Sequence, residues 1–545
     1  MRGAVALAVC GLWLAGCARG PAPEIRFPSP GAKLANPVHL EANTEVRWFD
    51  GQAYLGQGRV WRGSLSPGTH RIRAEGAGEA SLELEVEEDY PLDVIRAVPE
   101  GTAELDLPPG KYRVIWGNAS GKPIRAGEPS ARTQPPSHTP WHEPVRALER
   151  ELLQKPQRKV GLKPGKQLQG LPELGSKRSF RLLDLDSPGS ELIEARLVWA
   201  GANVLAYVHE AAGYDVGELA AAVGPIVRAF DGEILERVRA AFGPHADVDG
   251  NARVLLLFTP RLNQSGVAVG FFYAGDLLAR GPDNPDSNEA EVLYLGVPQP
   301  EDLNFSPASL TATACHELQH LVNFSNYTLP YVENPDPPLS PLWLNEGMSH
   351  LAEDLCGYNL LGGNLAFVSR YLERAPGTSL TAADLNGRGD TVERRGAAYL
   401  YLRYLMERAG GLVLQNGGLV DKGGLRFTRR VIAERAASHQ DVARLAAIEA
   451  NEALWRYWWT LALSGEGRLA WAEFEPRVLD PVTGDYLGVD LRLGEVRLTP
   501  EHAFELNGVK PTPSGRARFR PLPSRCGRFR GPAGSSCLER GPSRC

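Results

Sequence analysis

The chain has 545 residues, 43% of them hydrophobic and 23% charged, with a formal net charge of -6. That length exceeds one ordinary domain and leaves room for a full enzyme core. The mildly acidic balance excludes a protein built on a basic surface for nucleic acid, and seven cysteines are too few for a disulfide scaffold.

At the N-terminus, Arg2 precedes an apolar run from Ala4 to Leu14. Its length is that of a signal-peptide core and too short to span a bilayer. The run closes on Leu14-Ala15-Gly16-Cys17, which resembles a bacterial lipobox. Residues 1–16 are therefore expected to be a lipoprotein signal, with lipid attached at Cys17. A plain secretory signal is the alternative, and either way the mature protein lies outside the cytoplasm, lipid-anchored in the cell envelope or secreted. No other stretch approaches the 18 apolar residues of a membrane helix.

Residues 17–89 alternate short apolar runs with turn residues, as in Val38-His39-Leu40, Asp50-Gly51 and Ala80-Ser81-Leu82-Glu83-Leu84-Glu85-Val86. Strands at this spacing predict a small antiparallel sandwich, and the pattern resembles the immunoglobulin-like modules of bacterial surface proteins. Residues 90–121 form a second small β-rich unit around Pro108-Pro109-Gly110. Residues 122–178, rich in Pro, Lys, Arg and Gln, are expected to be a linker, interrupted by one helical pattern from Pro144 to Leu153. A propeptide covering the active site is the other reading of this stretch.

From 179 to 510 the pattern becomes that of an α+β enzyme domain. It predicts a helix over Asp215 to Phe242 and buried strands over Ala252 to Thr259 and Val292 to Val297. Further helices are expected from Ser306 to Phe324, from Arg395 to Arg408 and from Gln440 to Leu463. Residues 511–545, with almost no aliphatic content, are expected to be a disordered basic tail.

The chemistry is carried by His316-Glu317-Leu318-Gln319-His320. On a helix, residues four apart face the same way, so both imidazoles reach one metal ion, and Glu317 sits beside the open coordination position as general base. A catalytic zinc needs a third protein ligand and leaves the fourth place to water. Glu346 in Trp343-Leu344-Asn345-Glu346-Gly347 is the candidate, with His350 its rival one turn on. Here the chain resembles the gluzincins, in which an Asn-Glu pair on the following helix supplies the third ligand. His350, Glu353 and Asn345 are expected to orient the ligands. Cys315 and Cys356 flank the motif, as a disulfide or as buried thiols.

The broader resemblance is to the hyicolysin-type metallopeptidases. It is carried by Phe230-Asp231, Phe242-Gly243, Asp247-Val248-Asp249-Gly250-Asn251, Gly270-Phe271-Phe272, Ser287-Asn288, His316 to Asn323 and Trp343 to Asp354. It implies a zincin fold, one catalytic Zn2+ and neutral endopeptidase activity on protein or peptide substrates. The upstream Gly-x-Met-Glu-Asn segment with which aminopeptidases hold a free amine is absent. So is their tyrosine before the Gly-Ala helix start; Tyr399, one turn on, is the candidate transition-state donor, with a core aromatic as its other reading and His439 as a weaker rival. The Asp247 to Asn251 run invites Ca2+, but the later ligands of an EF-hand loop are missing and a tight turn is preferred.

The expected molecule is thus multidomain, an immunoglobulin-like β-sandwich followed by an α+β zincin. It would be an extracytoplasmic zinc endopeptidase, its peptide lying extended beside Val292 to Val297. The alternative is a surface-anchored binding lipoprotein with a vestigial peptidase fold.

Overall fold

The computed structural model describes residues 22–86 and 143–463, apart from short intervals at 29, 35–37, 64, 156, 162–170, 186–188, 266–267, 300, 359–363, 375–377, 382–389 and 416–417. Isolated strands are also described within 93–117 and 477–541. Cys17 and the expected signal lie outside the described residues. The chain divides into two compact units, residues 1–88 and 89–545. The first is built of β-strands and the second mixes α and β.

The N-terminal unit contains β1 (Ile25–Phe27), β2 (Lys33–Leu34), β3 (Val38–Asp50), β4 (Ala53–Gly63), β5 (Gly68–Glu75) and β6 (Glu79–Val86). Their order is β1-β3-β5-β6-β2, with β4 also paired to β3. In β6, Leu82, Leu84 and Val86 point inward and Ser81, Glu83 and Glu85 outward, the alternation of a strand with one buried face. A register shift between Glu41 and Val46 bends β3, so that its start pairs with β1 and its end with β5. Trp48 fills the small core, its indole N–H donating to Gly58 O at 2.8 Å.

The second unit begins with the short strands β7 (Asp93–Ile95), β8 (Thr102–Ala103) and β9 (Lys111–Gly117). The tail expected to be disordered contributes strands here. Ser535–Gly541 pairs antiparallel with β9 and β7, and Phe529–Arg530 with β8. Backbone pairing asks only for N–H and C=O groups, which an aliphatic-poor stretch has like any other.

The linker expected at 122–178 has the helix read within it, and its residues 122–142 and 162–170 lie outside the described residues. It contains α1 (Glu143–Leu153), whose Val145, Leu152 and Leu153 join the main hydrophobic core. Gln157 Nε2 donates to Leu152 O at 2.7 Å, and Ala279 N to Arg158 O at 2.9 Å, which fastens the segment after α1 to the enzyme unit.

The main sheet comprises β10 (Lys177–Leu183), β11 (Ser190–Ala200), β12 (Val204–His209), β13 (Val254–Phe258), β14 (Gly270–Phe272) and β15 (Val292–Leu295), in the order β10-β11-β12-β13-β15-β14. The central β12, β13 and β15 run parallel, and every residue of β13 and β15 is buried, as both faces of a parallel centre must be. β14 pairs antiparallel with β15 and forms the edge. The strand expected to take the peptide, β15, is therefore internal, and β14 holds the edge position.

Asp215 caps α2 (Val216–Ala229), which passes through a π turn at Phe230–Ile234 into α3 (Leu235–Phe242). Asp231 on that turn accepts from Asn203 N at 2.8 Å, tying the helix to the loop before β12. The short α4 (Pro260–Ser265) precedes β14. α5 (Pro307–Tyr327) starts at Ser306, whose side chain accepts from Ser309 N, with Pro307 in the first turn. It packs so closely on the edge strand that a Cβ on Gly270 would stand 2.7 Å from Thr313 Cγ2 and from Tyr294 O.

Then follow α6 (Leu342–Leu355), α7 (Asn364–Arg374), α8 (Val392–Arg408), α9 (Gly424–Ala433), α10 (His439–Leu445) and α11 (Ala450–Leu463). The single helical block expected after Gln440 is two helices, parted near Ala447, whose φ is +56°. Among the described residues, no helix is long and apolar enough to cross a membrane.

Candidate metal centre

α5 is buried from Leu310 to Phe324 except at Thr313, so its polar residues face protein and must find partners there. His316, Glu317 and His320 are 5%, 0% and 1% exposed, and Glu346, across on α6, is 1% exposed. α6 follows Pro341 and comes close enough to α8 that a Cβ on Gly347 would meet Leu402 Cδ1 at 2.7 Å. This approach sets Glu346 against the two histidines. His316 Nε2 stands 3.3 Å from Glu346 Oε2, and His320 Nε2 3.7 Å from Glu346 Oε1.

The other ring nitrogens are held from behind. His316 Nδ1 is 2.7 Å from Glu353 Oε1, and His320 Nδ1 is 3.1 Å from Asn345 Oδ1, itself placed by Asn323 Nδ2 at 2.8 Å. His350 Nδ1 reaches Glu353 Oε1 at 2.9 Å and Asn364 Oδ1 at 2.7 Å. Two buried sets could hold a metal ion, His316-Glu317-His320 and His316-His350-Glu353. In the second, both imidazoles already meet one carboxylate oxygen at hydrogen-bond distance through Nδ1. At their Nε2 atoms His316 and His320 instead share the Glu346 carboxylate, one at each of its oxygens.

Burial raises the Glu317 carboxyl to about 7, against the pull of His316 and Arg146, while Phe272 N donates to Oε2 at 2.9 Å. Burial disfavours a charged His316, yet its bonds to Glu346 and Glu353 hold the proton on, up to about 10.

Two arginines that sequence reasoning gave no role complete the site. Arg395, at the start of α8, lies 2.9 Å from Glu346 Oε2 and is pinned by Asp390 at 2.6 Å. Arg146 of α1 is bonded to Glu149 at 2.7 Å, and Glu317 and Glu346 are among the charges acting on it. Its Nε and Nη2 are buried with no hydrogen-bond partner among the described residues. Glu149 in turn accepts from Ala274 N at 2.8 Å, just beyond the edge strand. The signal available was the amphipathic pattern from Pro144 to Leu153, whose charged residues do not place themselves by spacing alone.

Tyr399, the candidate donor, lies in the core of the helical part. Its hydroxyl donates to Asp354 Oδ2 at 2.9 Å, in a buried network where Arg403 binds both Asp354 and Glu407. The core reading of this tyrosine is the one the geometry favours. Cys315 and Cys356 are buried free thiols, and Cys315 Sγ donates to Thr311 O at 3.2 Å. Comparison of the sequence with protein-family models finds no match, and none of the curated proteins matches it either.

Proposed function

We propose that the chain is a zinc-dependent endopeptidase of the gluzincin kind, held outside the cytoplasm by lipid on Cys17. In this reading the second unit is a zincin like the hyicolysin-type enzymes, and the N-terminal unit is an immunoglobulin-like spacer. The observation that carries it is the convergence of His316 Nε2, His320 Nε2 and the Glu346 carboxylate, with Glu317 beside them. Zinc bonds of about 2.0–2.2 Å place tetrahedral neighbours roughly 3.3–3.6 Å apart. Nitrogen-to-oxygen separations of 3.3 and 3.7 Å fit that requirement. Hydrogen bonds donated by Nδ1–H to a carboxylate and to an amide oxygen are what a zinc-ligating histidine needs to hold its tautomer and ring plane.

A bound zinc ion supplies Lewis acidity, lowering the pKa of water and polarising the scissile carbonyl. Glu317 takes the proton of the attacking water on its carboxylate and delivers it to the leaving amine nitrogen. The Phe272 N–H fixes one oxygen of that carboxylate and so its plane. Substrate lies extended along the edge strand β14, pairing as an added strand. Arg146, which lines the pocket together with Phe272 and His320, donates to the carbonyl oxygen as negative charge develops there, the part for which Tyr399 was the sequence candidate.

The test is zinc content and casein cleavage by the purified chain, with Glu317→Gln as control. One zinc per chain is expected in both, and a rate lower by roughly 10³-fold in the variant. Zinc without activity above the variant would remove the peptidase reading and leave a binding lipoprotein. Failure of His320→Ala or Glu346→Ala to lower zinc content would remove the ligand set.

A further inference from the structure

The turn between α3 and β13 carries two aspartates whose partners only the fold supplies. Asp247 Oδ1 accepts from Ala252 N at 3.0 Å, and Asp249 Oδ1 accepts from Asn251 N at 3.1 Å, so the turn fastens itself with its own side chains. Asp249 Oδ2 is bonded by Asn251 Nδ2 at 2.7 Å and lies 3.9 Å from Arg178 Nη1. Into this turn points Glu291, which immediately precedes β15 and is fully buried. Its Oε1 accepts from Val248 N at 2.5 Å. Its Oε2 is buried and has no hydrogen-bond partner among the described residues. Ligand atoms of Asp247, Asp249 and Glu291 lie within 4.8 Å of one another.

We propose that Asp247, Asp249 and Glu291 bind a calcium ion, separate from the histidine centre, that locks the α3–β13 turn to the start of β15. The donor set is wholly carboxylate oxygen, which suits a hard divalent cation and not zinc. Opposite ligands of one calcium, bonded at 2.3–2.6 Å, stand about 5 Å apart, which accommodates the observed spread. An irregular turn closed by a residue from a distant strand offers oxygens at uneven angles. Calcium accepts such angles with water in its remaining places, whereas magnesium demands a near-ideal octahedron. A buried carboxylate oxygen without a donor is costly unless something positive meets it. Arg178 lies on the Asp249 side of the cluster. The missing EF-hand ligands are thus replaced in space by Glu291, 40 residues beyond Asn251 in the chain (291 − 251). The competing occupant is a proton, since burial, with the two aspartates adding to it, pushes the Glu291 carboxyl up to about 8.

The experiment uses the full chain, stripped with chelator, reloaded with one equivalent of zinc and titrated with calcium chloride. Thermal unfolding and bound calcium are measured at each step. The expected result is one calcium per chain and a saturable rise in Tm of about 4 °C at a hundredfold excess over Kd. Equal magnesium should give a smaller rise. Glu291→Gln keeps the bond from Val248 N, and Asp247→Asn alters an exposed group. Each is expected to keep zinc and casein cleavage and to lose most of the calcium response. No Tm change in the wild-type chain up to about 10 mM calcium, or an undiminished response in both variants, would overturn the site. Two variants guard against one failing to fold, and because the readout is calcium binding and Tm, loss of the peptidase reading would leave the result intact.

Discussion

At the residue scale the histidines of the centre are held at Nδ1 and turned towards Glu346 at Nε2, a division of roles set by Glu353 and Asn345. If those partners orient the ligands, replacing them should leave the ligand set intact but loosen it. Glu353→Gln and Asn345→Ala are each expected to weaken zinc binding by roughly 10–100-fold, read by competition with a chromogenic chelator. Unchanged affinity in both would take the orienting role away.

Protonation gives a second handle. In the metal-free protein burial works against a charged His316, but Glu346 and Glu353 retain its proton up to about 10. The sign follows: a value raised above the ordinary 6.5 stabilises the metal-free fold fully below pH 6.5, and the contribution is lost as pH rises through about 10. Zinc must displace that proton. About one proton should therefore be released per zinc bound at pH 7, measured calorimetrically in two buffers of different ionisation enthalpy. Zinc uptake without proton release would mean that His316 is already neutral.

At the element scale α1 is the unexpected participant. Its apolar side is part of the core, and its polar side places Arg146 and Glu149 at the end of the edge strand. In the proposed enzyme a helix packed in this way is a wall of the cleft. Arg146→Ala is accordingly expected to lower kcat by roughly 10²-fold while zinc content stays at one per chain. A rise in activity would reverse this assignment and make α1 a plug. The close contacts of α5 with β14 at Gly270, and of α6 with α8 at Gly347, are the means by which sheet and helices bring His316, His320 and Glu346 together.

At the scale of the molecule the two units have separate cores, one around Trp48 and one around the sheet and α5. Every residue of the proposed catalytic machinery belongs to the second. Residues 89–545 alone should therefore bind zinc and cleave casein as the longer chain does, since no catalytic group is lost. A large loss of cleavage with zinc retained would show that the N-terminal unit takes part in binding substrate.

Local periodicity made much of this molecule legible in its sequence. The i, i+4 spacing of His316 and His320 on a helix is a property of a few neighbouring residues, as are the alternation in β6 and the uniformly apolar β13. The helix from Asp215 to Phe242 was legible for the same reason, though not the π turn that interrupts it. What the tertiary structure decided lies between residues far apart in the chain. It set Glu346 against both imidazoles, put Glu353 behind His316, gave the sheet edge to β14 instead of β15, and packed α1 so that Glu317 and Glu346 act on Arg146. Sequence spacing sets which residues share a face of one element. Which faces meet is set by how close-packed elements can approach, and here glycines at 270 and 347 determine that approach.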